Sequence, residues 1–144
     1  MIIALDEAKK GAAVNEIPVG AVVVNTLDNT IIARAHNLIE TNGDPLLHAE
    51  MIVMRAALCS TQSKFLDHCA LYVTLEPCNM CAAAISYTRI QKLYFAAYNA
   101  KFGAVKHNTC FFNSASCLHK PEIYSGILET ESLFLLRKFF NALR

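Results

Sequence analysis

Residues 76–81 read EPCNMC, and two cysteines three apart, Cys78 and Cys81, need a chemical reason. They can clip a metal, form a redox disulfide, or pack as two small apolar groups on a buried helix. On a helix, the i, i+3 spacing places both thiols on one face near the N-terminus. Pro77 suits the first turn there, where its missing N–H costs nothing. The positive end of the helix dipole favours thiolate over thiol, which is the form a metal needs. A disulfide across that turn stays open on these residues alone. A thioredoxin-type pair, however, would stand early in the fold, not after what reads as the third strand.

A second motif supplies the partner. HAE at 48–50 also opens a helix after a loop, and His48 can add an imidazole nitrogen to the two sulfurs. Catalytic zinc takes three protein ligands and keeps a fourth position for water, whereas structural zinc is closed by four. Three ligands, His48, Cys78 and Cys81, imply one catalytic zinc per chain. Glu50, two residues from His48, is the candidate acid–base group: a carboxylate beside an acidified water can take its proton and pass it to a leaving group. His36, His68, His107 and His119 have no companion at metal-ligand spacing and read as surface or satisfied histidines. Cys59 and Cys69 read as buried thiols or loop residues, and Cys110 and Cys117 as structural or incidental.

The elements that must position these residues alternate between β-rich and amphipathic stretches. MIIALDEAKKGAA reads as a first helix. IPVGAVVVN (17–25) and NTIIARAHN (29–37) read as a hairpin turning at TLD. After the loop LIETNGDPLL, HAEMIVMRAALCS is a helix buried through Ile52, Met54, Ala56, Ala57 and Leu58. ALYVTLE (70–76) lacks polar alternation and should be a central strand. A small-faced helix CNMCAAAISYTR follows, then a fourth strand KLYFAAY, a weaker fifth PEIYSGI, and a closing helix ESLFLLRKFFNALR. The β–α–β runs in the middle imply parallel pairing with helices on both faces. The expected fold is an α/β, three-layer α/β/α sandwich with a mixed five-stranded sheet, one domain over residues 1–144.

Composition agrees with a cored, unstapled domain: 54% of residues are hydrophobic and 17% charged. So few charges suggest that a partner subunit covers some apolar surface. No apolar run approaches the roughly 18 residues of a membrane span, and the start lacks a basic leader, so a cytoplasmic protein without a secretory signal is expected. In that compartment the six cysteines do not imply three disulfides, and a close pair is more often metal-binding or redox-active. The net charge of +1 hides an asymmetry. From Pro77 to Pro121 there is no acid, while Arg89, Lys92, Lys101, Lys106 and Lys120 are basic, a stretch on which a polyanion could dock.

H-x-E followed by P-C-x-x-C is the known signature of the zinc-dependent nucleobase deaminases. On that motif the chain resembles the cytidine-deaminase-like superfamily. EIPVGAVVV (16–24), DPLLHAE (44–50), LYVTLEPCNMCAAAI (71–85), AAYNAKFGA (96–104) and a final helix with FF at 139–140 make it similar, more narrowly, to the bacterial tRNA-specific adenosine deaminases. The resemblance implies hydrolytic deamination of adenosine to inosine at the wobble position of a tRNA anticodon, with zinc on His48, Cys78 and Cys81 and Glu50 as proton shuttle. It also implies that Asn37 hydrogen-bonds the target base, that Pro18, Val19 and Leu75 wall its pocket, and that the protein is a homodimer. The anticodon stem-loop would meet the acid-free stretch, Lys101 and Lys106 included. Asn99 stands where the family usually carries aspartate, near the nucleotide sugar; Leu46 and Leu47 replace a smaller, more polar pair, and Phe102 a small polar residue. One rival is the same chemistry on a free base or nucleotide of guanine or cytosine type. The other is a non-catalytic, zinc-stabilised RNA-binding subunit, which would be expected to lack Glu50.

Overall fold

The computed structural model describes residues 1–143; the last residue expected in the closing helix, Arg144, lies outside them. Helix α1 (Ile2–Ala13) is followed by the hairpin of β1 (Gly20–Asn25) and β2 (Ile31–His36). A single turn, α2 (Ile39–Asn42), stands in the stretch expected to be loop. Helix α3 (Ala49–Thr61), β3 (Cys69–Leu75), α4 (Asn79–Thr88), β4 (Lys92–Ala97), β5 (Glu122–Ser125) and α5 (Glu129–Ala142) complete the chain. The sheet order is β2-β1-β3-β4-β5, antiparallel around β1 and parallel from β3 to β5, so the expected mixed five-stranded sheet is present with β3 at its centre.

Strand alternation divides the apolar residues between two layers. Ala21, Val23, Leu71, Val73, Leu93 and Phe95 pack with Val53, Met54 and Ala57 of α3 and with Ala82 and Ile85 of α4. The other face of the sheet is covered by α1 and α5. There α1 approaches so closely that a Cβ on Gly20 would meet the backbone of Ala4 and Ala8, which only glycine avoids. Helix α3 departs from expectation in one respect. Val53 joins Met54 and Ala57 in the core, while Ala56 and Cys59 face outward, because a 13-residue helix against one sheet buries a stripe and not its whole surface.

The parallel register Leu75↔Ala97 ends β3 and β4 at the same edge, and β2 ends there too at His36. Side chains that follow these strand ends therefore converge, as is general for open α/β sheets.

Candidate metal centre and active site

His48 and Cys78 are both helix N-caps, of α3 and α4, with extended backbones (φ/ψ −68/147 and −74/176). Cys78 thus precedes its helix instead of sharing its face, and Pro77 lies just outside the cap, before the first turn expected to hold it. The reason is that Cys81, in the first turn, points to the same place that an extended Cys78 reaches. His48 Nδ1 lies 3.6 Å from Cys81 Sγ and 3.9 Å from Cys78 Sγ. Zinc held at about 2.0–2.1 Å from nitrogen and 2.3 Å from sulfur in a tetrahedron sets N···S near 3.6 Å. The three ligand atoms lie within 4.8 Å of one another, and the donor set fits one zinc ion.

Their electrostatics point the same way. The Cys78 thiol is held down to about 4 by the hydrogen bond from Cys81, against burial, with His48 adding to the effect. The same contact with Cys78, together with burial, pushes the Cys81 thiol up. A bound dication would hold both sulfurs as thiolates. All six cysteines are free thiols in this structure, Cys78 and Cys81 among them. Cys69 is buried as expected, but Cys59 is exposed.

Glu50 is 3% exposed, in the first turn of α3, and its Oε2 has no hydrogen-bond partner among the described residues. Burial raises its pKa to about 7, with the charge of Cys78 adding and that of His48 opposing. An acid tuned to neutrality, with one oxygen unpartnered beside a metal site, is equipped to take up and release a proton.

A cavity of about 330 Å³ opens over this group, lined by Ile17, Val19, Asn37, Leu75, Asn99 and Phe102 together with His48, Glu50 and Cys78. Of the residues expected to form its walls, Val19 and Leu75 do so; Pro18 is buried without lining it, and Ile17 is there instead. Asn37 Oδ1 accepts the backbone N–H of Ala49 at 2.9 Å, which leaves its NH₂ group to face a ligand. Asn99 Oδ1 accepts the N–H of Phe102 at 3.1 Å, so this side chain too presents a donor.

The acid-free stretch is not one patch. Lys101 and Lys106 are exposed on the segment beside the cavity, with the Lys101 ammonium 5.0 Å from the Phe102 ring centre. Arg89 instead stacks on Phe65 at the C-terminal end of α4, and Lys120 donates to Asn113. His36, His107 and His119 find partners in Glu7, Glu76 and the Ile90 carbonyl, as satisfied histidines.

Two acids escaped the sequence reading. Glu16 is fully buried and accepts the N–H groups of Glu40 and Thr41, tying α2 to the start of β1. Glu76, 2% exposed, accepts from Asn99, Val105, Lys106 and His107. Burial raises its pKa, but the N–H groups of Lys106 and Asn99 and the His107 ring outweigh that and hold it below the usual carboxylate range. The available signal was an acid set directly against a buried apolar run, IPVGAVVV or ALYVTL, where a carboxylate must be partnered.

Residues 1–97 match the family described as the cytidine and deoxycytidylate deaminase zinc-binding region. A tRNA-specific adenosine deaminase of Rickettsia typhi is 47% identical, the match covering 98% of this chain and 95% of that protein. A structure from a study of A-to-I editing by tRNA:A34 deaminases at the wobble position of transfer RNA superposes with a TM-score of 0.91 and 44% identity, covering 94% and 97% of the two chains. A guanine deaminase of Bacillus subtilis superposes with a TM-score of 0.65 and 30% identity, covering 97% and 90%.

Proposed function

The chain belongs to the zinc-dependent cytidine and deoxycytidylate deaminase family, among its tRNA-specific adenosine deaminases, and from there we propose that it converts adenosine to inosine at the wobble position of a tRNA anticodon. The observation that carries this reading is Glu50, a buried carboxyl with an unpartnered oxygen and a pKa near 7, set between a three-ligand metal site and a cavity. Zinc held by His48, Cys78 and Cys81 supplies the Lewis acidity that makes water a nucleophile near neutral pH.

Glu50 takes a proton from that water and delivers it to the ring nitrogen beside carbon six as the water oxygen bonds to that carbon. It takes the second water proton and gives it to the amine, the C–N bond breaks and ammonia leaves. The carboxyl begins and ends the cycle in the same state. Ile17, Val19 and Leu75 flank the base, and the NH₂ of Asn37 is placed to donate to it. The cavity holds a nucleobase and not a helix, so the target must come out of its stack. An anticodon loop, single-stranded and splayed, makes that inexpensive.

The reading extends to a homodimer acting in the cytoplasm; no helix among the described residues is long and apolar enough to cross a membrane. A groove of about 550 Å³ between α3 and α4, lined by Leu46, Leu47, Met51, Ile52, Ala56 and Leu58, is the apolar face a second copy would cover. Ala56→Arg should yield monomers in sedimentation; an unshifted dimer places the interface elsewhere.

The test is single-turnover inosine formation on an anticodon stem-loop, with free guanine and cytosine in parallel. Glu50→Gln should lose at least about 10²–10⁴-fold in rate while retaining zinc. Near wild-type rates in that variant would show that another group moves the proton. Turnover of a free base with none of the stem-loop would favour the reading that the 30% identity to a guanine deaminase supports.

A further inference from the structure

Glu76 carries more hydrogen bonds than any other side chain near the site, and the chemistry above uses none of them. Its Oε1 accepts the backbone N–H groups of Val105, Lys106 and His107 at 3.1, 2.7 and 3.1 Å. Its Oε2 accepts the N–H of Asn99 at 3.0 Å and the ring N–H of His107 Nδ1 at 2.7 Å. All of these donors belong to one irregular segment, 99–107, which forms neither helix nor named strand. That segment carries Asn99 and Phe102 into the cavity wall and exposes Lys101 and Lys106 beside it.

The same carboxyl sits two residues before the ligand Cys78. Gly103 bridges to Cys78, and Ala104 donates to the Pro77 carbonyl at 2.9 Å. A Cβ on Gly103 would run into the Glu76 carboxyl and the Asn99 carbonyl, so the segment closes over Glu76 with no space between them. A segment without a regular hydrogen-bond ladder must satisfy its N–H groups some other way, and here one buried anion does so.

We propose that Glu76 is a positioning residue, whose carboxylate holds the 99–107 segment as the lip of the cavity and so sets how tightly the substrate is gripped. The substrate half of this inference rests on the deaminase reading. The structural half does not. A glutamine at the same place keeps one carbonyl oxygen but turns an NH₂ group toward donors, which loses charge-assisted bonds and leaves N–H groups unpaired.

The experiment compares wild-type protein with Glu76→Gln, Glu76→Asp and His107→Ala, all zinc-loaded, by hydrogen exchange and by single-turnover kinetics on the stem-loop. In Glu76→Gln, exchange in 99–107 should quicken about tenfold or more while α3 and β3 stay protected. The protein concentration for half-maximal single-turnover rate should rise by about tenfold or more, with the rate at saturation within about threefold of wild type and zinc near one per chain. Glu76→Asp, which restores the charge, should recover part of the loss. Unchanged exchange in 99–107 overturns the proposal, and so does a fall in the saturated rate at unchanged half-saturation. Should Glu76→Gln fail to fold, His107→Ala must show the same loosening in smaller measure, and unaltered exchange there is equally decisive. A wild-type protein inert on the stem-loop would overturn the deaminase reading, while the exchange comparison would still decide whether Glu76 holds the lip.

Discussion

The side-chain oxygen of Asn37 accepts the backbone N–H of Ala49 at 2.9 Å, and Ala49 stands between the metal ligand His48 and the acid Glu50. One hydrogen bond thus fastens the end of β2 to the N-terminus of α3. It satisfies one of the free donors of that helix end, and it fixes which way the amide points. With the oxygen engaged, only the NH₂ is left for the cavity.

Asn37→Asp keeps the acceptor for Ala49 but replaces the cavity-facing donor with an oxygen. It should melt within a few degrees of wild type, yet lose about 10–100-fold in kcat/KM on the stem-loop, the cost of one buried hydrogen bond to the base. Thermal melts and single-turnover rates measure the two effects. Wild-type kcat/KM in this variant would mean that the amide nitrogen does not meet the base.

Purified wild-type protein should contain one zinc per chain, since the donor set offers one site. Cys78→Ser should bring the metal content close to zero and lower the melting temperature, because a bound metal stabilises only the folded form. Zinc unchanged in this variant would remove Cys78 from the ligand set.

Lys101 and Lys106 are the cations of the acid-free stretch that lie beside the cavity. Replacing both with alanine should weaken RNA binding and flatten its salt dependence by about one counterion for each phosphate no longer neutralised. Titrations at several salt concentrations check this. Identical affinity and slope would show that the RNA backbone passes elsewhere.

Glu16 bears on acid stability. Burial alone would raise its pKa, but the N–H groups of Thr41, Glu40 and Ile39 outweigh burial and lower it from the ordinary value of 4.5. The folded protein therefore holds this proton less tightly than the unfolded chain does. Its contribution is complete above pH 4.5 and is lost as pH falls through the depressed folded value. Melting temperatures taken across this range should fall more steeply toward acid in wild type than in Glu16→Gln, which lacks the titration. Parallel curves would mean that the capping bonds do not favour the ionised form.

Much of the site was legible in the chain itself, because its chemistry is written in short covalent spacings. H-x-E and P-C-x-x-C name the ligands and the acid, and the unbroken apolarity of ALYVTL marks the central strand β3. The β–α–β order likewise implied the parallel β3–β4 pair, since that connection is nearly always a right-handed crossover. Only the folded chain decided that Cys78 caps its helix in an extended conformation, that Ile17 and not Pro18 lines the cavity, and that the basic stretch is divided between two regions of the molecule. Glu16 and Glu76 show why. Each is a lone acid in the sequence, and its partners stand 24 and 25 or 23 to 31 residues away. Apart from the His107 ring on Glu76, those partners are backbone N–H groups, which every residue except proline possesses. A bond to the main chain leaves no residue-type pattern, so its place is decided by the packing that brings the two segments together.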